Sequence, residues 1–475
     1  MLWFGPLPNM EVQDIHHRGE PWIVTSSTRV KILTNPVLPE MAPGPGTRPD
    51  RSSVVREGVC VVEVLHERCA GLDVSKTDVK VSVRVPSTRA GRYRHEIRTF
   101  GSMTADVLEL RAYLIEQQVS QVVMESTGEY WKPFYYLLED GPFEVLLVNP
   151  RHVKNLPGRK TDVSDAQWLS DLAAHGLVRG SFVPPPPIRV LRDLTRTQAD
   201  LTRDRTRELN RLQGVLEDAG IKLTSVASDV NGVSSRLMLT AMVEGERDPV
   251  VLAELAQKRL RNKREQLARA LVGRFTEHHE FLVGLHLRVI DQLTAAIDEL
   301  TGKIEVQIEP FRRQAELLET ISGVSHGVAV VIIAETGGDM TKFPTAHHLA
   351  SWAGVCPGHN QSAKRVKHAK TRPGNSYLKG ALGTAALSVA RTKNTFMNSR
   401  FQRIKSHGSG LKAIVAVEHG ILRSVWNVLT TDTEYQELGA DYHQRRNPQA
   451  ALRSITRQAN NLGFTVRFDL IGSTN

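Results

Sequence analysis

Cysteine is scarce in this chain. The three residues, Cys60, Cys69 and Cys356, are widely spaced and odd in number. That excludes a disulfide-stapled scaffold, and no spacing among them suits a zinc site, so a reducing cytoplasm is the simple expectation. Long apolar runs are missing too. None approaches the roughly 18 residues needed to span a bilayer, and the N-terminal stretch, with Glu11 and Asp14, lacks the apolar core of a secretory signal. Acid is in deficit: 51 Asp and Glu stand against 61 Lys and Arg, a formal net charge of +10. An excess of that sign points to a polyanionic partner, nucleic acid or an anionic membrane surface.

Four of the acids stand at informative places. Asp73 lies in Gly71-Leu72-Asp73-Val74-Ser75, ahead of the alternating Val79, Val81, Val83 and Val85, a period that reads as strand. Glu125 closes the short apolar run Val122-Val123-Met124 just before Ser126-Thr127-Gly128. Asp162 and Asp165 are three apart at the start of a helix expected from Asp162 to Ala174, so both are placed on one face. Singly, each reads as a solvated surface carboxylate. Together, at the ends of expected elements, they suit a phosphodiester site in which a hard divalent cation offsets their mutual repulsion. Two such ions can serve both the attacking and the leaving oxygen of an in-line displacement.

Residues 1–60 show no sustained periodicity and contain Pro43-Gly44-Pro45-Gly46; they read as a disordered or upstream extension the working fold does not need. From 61 to 182, three antiparallel-looking strands are followed by α/β alternation, the order of an α/β ribonuclease-H-like fold. Strands are expected at Val79–Val85, Arg92–Phe100, Val122–Glu125 and Phe143–Val148, with an aromatic-rich helix around Tyr130, Trp131, Phe134 and Tyr135. Pro184–Pro187 reads as a stiff spacer opening a region from 183 to 312. There Leu191, Leu194, Leu201, Leu209, Leu212 and Leu216, and later Leu282, Val289, Leu293, Ala296, Leu300 and Ile304, recur at roughly heptad spacing. A coiled coil and a plain helical hairpin both fit, since Arg205 breaks the seam. Between these helices Lys258, Arg259, Arg261, Lys263, Arg264, Arg269 and Arg274 crowd against one nearby acid, Glu265, and favour a phosphate-tracking surface over a merely solvated face.

The span from 313 to 430 changes character. Leu318 to Gly327 leads into the apolar Val328–Ala334, a Gly-containing turn between helices that resembles a helix-hairpin-helix; such a turn exposes backbone N–H groups to a phosphate. Ser362 is then placed on a loop among Lys364, Arg365, Lys367, Lys370 and Arg372, with Gly374-Asn375 opening an alanine-rich helix. A serine hydroxyl needs an activating base or metal to act as a nucleophile, and the surrounding cations would neutralise a phosphate. On the residues alone, a solvated loop serine in a basic binding loop fits as well. Residues 431–475 read as a tail.

The blocks Gly71–Lys76, Met124–Trp131, Lys160–Ala166 and Ser362–Asn375, in this order, closely resemble the DEDD transposases of bacterial insertion sequences, the Piv/MooV type numbered one hundred and ten among insertion-sequence families. The resemblance runs from about Val61 to about Thr430. It implies a RuvC-like N-terminal domain, a coiled-coil middle and a mainly α C-terminal transposase domain. It implies Mg²⁺ held by Asp73, Glu125, Asp162 and Asp165, with Ser362 attacking DNA to give a covalent phosphoserine intermediate. It further implies an element-encoded guide RNA, DNA at element ends and target, a homo-oligomer (a dimer or tetramer), no membrane, and residence at the bacterial nucleoid. Ala363 stands where the pattern has glycine, which keeps Ser376 as the other nucleophile candidate. Two other readings use fewer of these parts: a hydrolytic RuvC-like junction nuclease relying on the acids alone, and an inactive nucleic-acid-binding remnant.

Overall fold

A computed structural model describes residues 64–468, apart from positions 90, 127, 151–152, 154–163, 359–360, 363–364 and 367–369. The expectation for residues 1–60 lies outside the described residues. Strands β1 (Cys69–Val74), β2 (Asp78–Pro86) and β3 (Tyr93–Gly101) form an antiparallel meander. β4 (Gln121–Glu125) and β5 (Glu144–Val148) add in parallel on the other side of β1. The five-stranded order is β3-β2-β1-β4-β5.

Period-2 alternation decides which residue meets which layer. Ala70, Leu72 and Val74 pack with residues of α1 (Thr104–Glu116) and α2 (Trp131–Leu138), including Leu110, Leu114 and Phe134. Cys69 and Val123 point the other way, against Leu169 and Leu172 of α3 (Asp165–Ala174). Each such fully buried leucine is worth roughly 1.5–3 kcal/mol. The sheet is thus a core layer between helices.

Two boundaries differ from expectation. Helix α3 starts at Asp165, not Asp162, because Ser164 caps it, its hydroxyl accepting from the Gln167 amide at 3.2 Å. Such a cap satisfies an N–H that the first turn leaves orphaned. Asp162 itself lies outside the described residues. The polyproline spacer is shorter than expected, since Pro186 and Pro187 are already the first residues of α4 (Pro186–Asp218). Proline suits a first helical turn, where its missing N–H costs nothing.

Helix α4 runs antiparallel to α8 (Glu277–Gln307). Gln198 Nε2 donates to Thr301 at 2.8 Å, and Arg205, the residue that interrupts the seam, reaches Thr294 at 3.4 Å. The buried line of α8 is Val283, Leu287, Ile290, Ile297 and Ile304, mostly shifted from the expected positions. The reason is that α8 serves more than one core. Val283, Leu287 and Ile290 pack into an insert with α5 (Val233–Val243), α6 (Pro249–Glu254) and α7 (Arg264–Ala270), whereas Ile304 joins the C-terminal core.

That C-terminal core surrounds α10 (His326–Thr336), buried at nearly every position from Val328 onward. Around it stand α9 (Arg312–Glu319), α11 (Ala346–Trp352), α12 (Ser376–Arg391), α13 (Phe396–Ser406) and α14 (Gly410–Thr431), sharing residues such as Leu349, Leu382 and Leu422. A two-stranded hairpin, β6 (Gln361–Ser362) and β7 (Arg365–Val366), projects between α11 and α12, so Ser362 lies on a short strand, not in a loop. The expected tail contains a short helix at Tyr442–Arg446 and a longer one, α15 (Pro448–Asn461), the latter with no buried residue. Among the described residues no helix is long and apolar enough to cross a membrane.

Candidate active site

Three of the four predicted acids come to one end and one face of the sheet. β1 and β4 are parallel with Leu72 opposite Met124, so Asp73 and Glu125 occupy the next matched positions at adjacent strand ends. Asp73 shares the face of Gly71, and that face carries α3. The approach of α3 is unusually close: a Cβ on Gly71 would stand 2.0 Å from the Ala166 carbonyl oxygen. Asp165, next to Ala166, is thereby laid over β1. Desolvation by the surrounding protein and then the Asp165 charge hold the Asp73 carboxyl above its usual range, although Asp73 keeps solvent access.

A polar cluster that the sequence did not single out pins α3 in place. The Asp171 carboxylate lies 3.4 Å from Arg84 Nε and 3.2 Å from His95 Nε2. On the other side of the His95 ring, Nδ1 meets the buried Ser82 and Ser170 hydroxyls at 3.2 and 3.3 Å. Arg84 also stacks on the Tyr93 ring, 3.5 Å from its centroid. The Cys69 thiol donates to the Ser170 carbonyl, and burial pushes its pKa up to about 12, so it is inert. An arginine in a buried strand, Arg84, was the signal available in the sequence.

Neighbouring carboxylates of like charge, as Asp73 and Asp165 are, offer oxygen donors that fit a hard cation such as Mg²⁺. Among the described residues no three His, Cys, Asp or Glu side chains stand close enough to hold a metal. The fourth acid, Asp162, lies outside that set.

Ser362 pairs through its backbone with Arg365 across the β6–β7 hairpin. Side chains from 359 to 369, including Ser362, Lys364, Arg365 and Lys367, lie outside the described residues; Lys370 and Arg372 are exposed. The hairpin's base is well fixed. Pro357 bridges Thr371, and a Cβ on Gly374 would stand 2.2 Å from the Ala353 carbonyl oxygen. Asn375 caps α12, its Oδ1 accepting from the Tyr377 and Leu378 amides at 3.1 and 3.0 Å. Ser376, the alternative serine, is the exposed first residue of that helix.

Behind the cap lies a buried ion network. Glu335 on α10 is fully buried and takes both Arg196 bonds at 2.8 Å. Arg192 donates to the Ala334 and Glu335 carbonyls at 2.9 and 2.7 Å. Arg196 also packs over Tyr377, whose hydroxyl donates to Asp200. Helix α4 is thus bolted to the foot of the serine hairpin, and through Arg189–Glu139 to the sheet domain.

In the basic insert, Lys258, Arg259, Arg261 and Lys263 are exposed on a 3₁₀ turn, while Arg264 is paired with Glu254 at 3.0 Å. At the first residue of α10, His326 engages Glu319 at 2.7 Å and Glu305 at 3.1 Å, which places two acids where a phosphate would compete.

An α/β sheet with acids gathered at one pole, followed by a helical region bearing a serine hairpin, is the setting in which the chain's relatives become informative. A family model described as a transposase matches residues 70–221, and one described as the transposase IS116/IS110/IS902 family matches residues 315–402. The chain belongs to this family of insertion-sequence transposases. It is similar to the insertion element IS110 uncharacterized 43.6 kDa protein of Streptomyces coelicolor, 30% identical over 54% of this chain and 68% of the relative. It is similar also to the insertion element IS900 uncharacterized 42 kDa protein of Mycobacterium paratuberculosis, at 28% identity over 58% and 73%. The transposase for insertion sequence element IS1111A of Coxiella burnetii is 23% identical over 67% and 80%.

Proposed function

We propose that this transposase cuts and exchanges DNA strands through a covalent phosphoserine made by Ser362, with Mg²⁺ held by Asp73, Glu125, Asp162 and Asp165. The observation that carries the reading is the shared pole: Asp73 and Glu125 at matched positions of adjacent strands, with Asp165 close enough for its charge to act on Asp73. The sheet order supports a ribonuclease-H-like (RuvC-like) domain over 61–182, joined through helices 183–312 to a transposase domain over 313–430.

A bound divalent cation would neutralise phosphate oxygens and stabilise the departing one. The chain's own residues do the rest. Strand ends hold Asp73 and Glu125, and the close packing at Gly71 lays the start of α3, with Asp165, over β1 near Asp73. The Ser362 oxygen forms a bond to phosphorus as the bridging P–O bond breaks; the hydroxyl proton passes to solvent and the leaving oxygen takes one up. Lys364, Arg365, Lys367, Lys370 and Arg372 offset phosphate charge at that hairpin, while Lys258, Arg259, Arg261, Lys263 and Arg264 grip the backbone farther away. Because the protein grips backbone, sequence choice falls to an element-encoded RNA, and two DNA partners require at least a dimer.

The test compares Ser362→Ala, Ser376→Ala and Asp73→Asn with wild type on cognate DNA and RNA with Mg²⁺. Expected is a denaturant-resistant protein–DNA adduct lost in Ser362→Ala and Asp73→Asn but kept in Ser376→Ala. A Ser362→Ala protein that cuts and rejoins at the wild-type rate would remove the serine mechanism and leave a hydrolytic, acid-only nuclease.

A further inference from the structure

Five basic side chains from three helices gather at the α13–α14 hairpin, none of them belonging to a basic segment named above. Arg400 and Arg403 lie one turn apart on α13, His419 and Arg423 one turn apart on α14, and His347 comes from α11. The His347 and His419 rings are 6.0 Å apart, centroid to centroid. The two long helices approach closely here, since a Cβ on Gly420 would stand 3.1 Å from Met397 Sδ.

Negative charge is what this cluster lacks. Among the described residues neither Arg400, Arg403 nor Arg423 forms an ion pair, and the Arg400 Nε is buried without a hydrogen-bond partner. Burial, then the Arg403 and Arg423 charges, hold the Arg400 guanidinium below its ordinary range. Burial, then Arg400, Arg423 and His347, lower His419 in the same way. The adjacent acid, Glu418, turns toward α12, where its Oε1 faces Gly383 and its charged neighbour is Lys379.

Pressing like charges together and leaving a buried donor unmade both cost stability, and an anion offsets both. Guanidinium groups are suited to the task because their forked N–H donors match paired phosphate oxygens. Arg403 and Arg423 are exposed whereas Arg400 and His419 are half-buried, so solvent-side and recessed donors are both available. The geometry points to a phosphate-binding site formed by Arg400, Arg403, His419 and Arg423 that takes phosphodiester groups of a nucleic-acid backbone. It rests on reading the chain as acting on nucleic acid, and is independent of which residues perform the chemistry. Backbone contacts carry no base information, so DNA and RNA both supply the required group.

Binding, not strand exchange, is the readout. The full-length protein and an Arg400→Gln/Arg423→Gln variant are titrated with labelled duplex DNA and with single-stranded RNA across a salt series. Each phosphate that the variant no longer neutralises makes the log–log salt slope shallower by about 0.9 on duplex DNA, about eightfold in affinity per tenfold change in salt, and by about 0.7 on a single strand. A shallower slope on one nucleic acid assigns the site to it; on both, the site is shared. The free variant should melt no lower than wild type, having shed like-charge repulsion, and inorganic phosphate should raise the melting temperature of wild type only. The site is overturned if both slopes are unchanged, if the variant is destabilised with its phosphate response intact, or if a control Arg312→Gln/Arg445→Gln, two exposed and already paired arginines, shows as large a change. Wild-type protein that bound neither nucleic acid would instead sink the reading of the chain as a nucleic-acid enzyme.

Discussion

The Asn375 side-chain amide donates to Glu335 Oε2 at 2.5 Å, so the residue that caps α12 is itself held by a fully buried carboxylate on α10. Because Arg196 holds the same carboxylate from α4, one acid ties together the linker helix, the central helix and the foot of the serine hairpin.

Replacing Glu335 with glutamine should therefore be severe. It leaves Arg192 and Arg196 without their shared counter-charge, and removing one partner of a buried pair costs about 3–5 kcal/mol. Asn375→Ala loses only the cap and its amide bond, about 1 kcal/mol. Urea unfolding of both variants checks the ranking; equal midpoints would show that Glu335 contributes no more than a cap.

Gly71→Ala should separate the sheet from α3. The added methyl has no room beside the Ala166 carbonyl and the Ser170 amide, 2.0 and 2.6 Å away. Overpacking of this kind typically costs about 1–3 kcal/mol, and backbone neighbours give way less easily than side chains. Asp165 would move with its helix. Thermal unfolding together with a nuclease assay should show both stability and activity falling; a variant with wild-type values would refute the close packing.

Much of this was legible in the sequence. Valine alternation from Val79 to Val85 placed β2 correctly, and Gly374-Asn375 marked the start of α12. What was missed depended on tertiary context. The α8 seam shifted because Val283 and Leu287 pack into an insert core whose existence no heptad pattern reveals. The Glu335 network carries no motif, although a carboxylate closing the apolar run Val328–Ala334 was a visible oddity, since a buried charge requires partners. In the Arg84–Asp171–His95 cluster, Arg84 and His95 are cross-strand partners in the β2–β3 hairpin, but Asp171 comes from α3 far along the chain, so no local spacing could announce the full set.

Asp73 gives a prediction with a definite sign. Its carboxyl is raised in the folded protein by desolvation and then by Asp165, so the folded state holds a proton that the unfolded chain has released just above the ordinary carboxylate range. Stability accordingly falls as pH rises through that window. Asp73→Asn removes the penalty, so at neutral pH in EDTA it should melt no lower than wild type. Mg²⁺ should raise the wild-type melting temperature more than the variant's. A variant less stable in EDTA would mean that the Asp73 charge is already satisfied within the chain.

His326 should respond in a different window. Its ring is held between Glu319 and Glu305, and the Glu319 hydrogen bond, helped by the Glu305 charge, lifts its pKa above the ordinary 6.5. A cation at the first turn of α10 opposes the helix dipole, and the two carboxylates offset that cost. For a base raised on folding, the stabilisation is complete below the unfolded value and is lost as pH rises through the folded one. Wild-type stability should therefore drop from about pH 6.5 upward more steeply than that of His326→Asn, whose side chain does not titrate. Because the ring is substantially exposed, salt should shrink the difference. Chemical denaturation at a series of pH values reads it directly, and parallel curves for the two proteins would show that neither carboxylate engages the imidazolium.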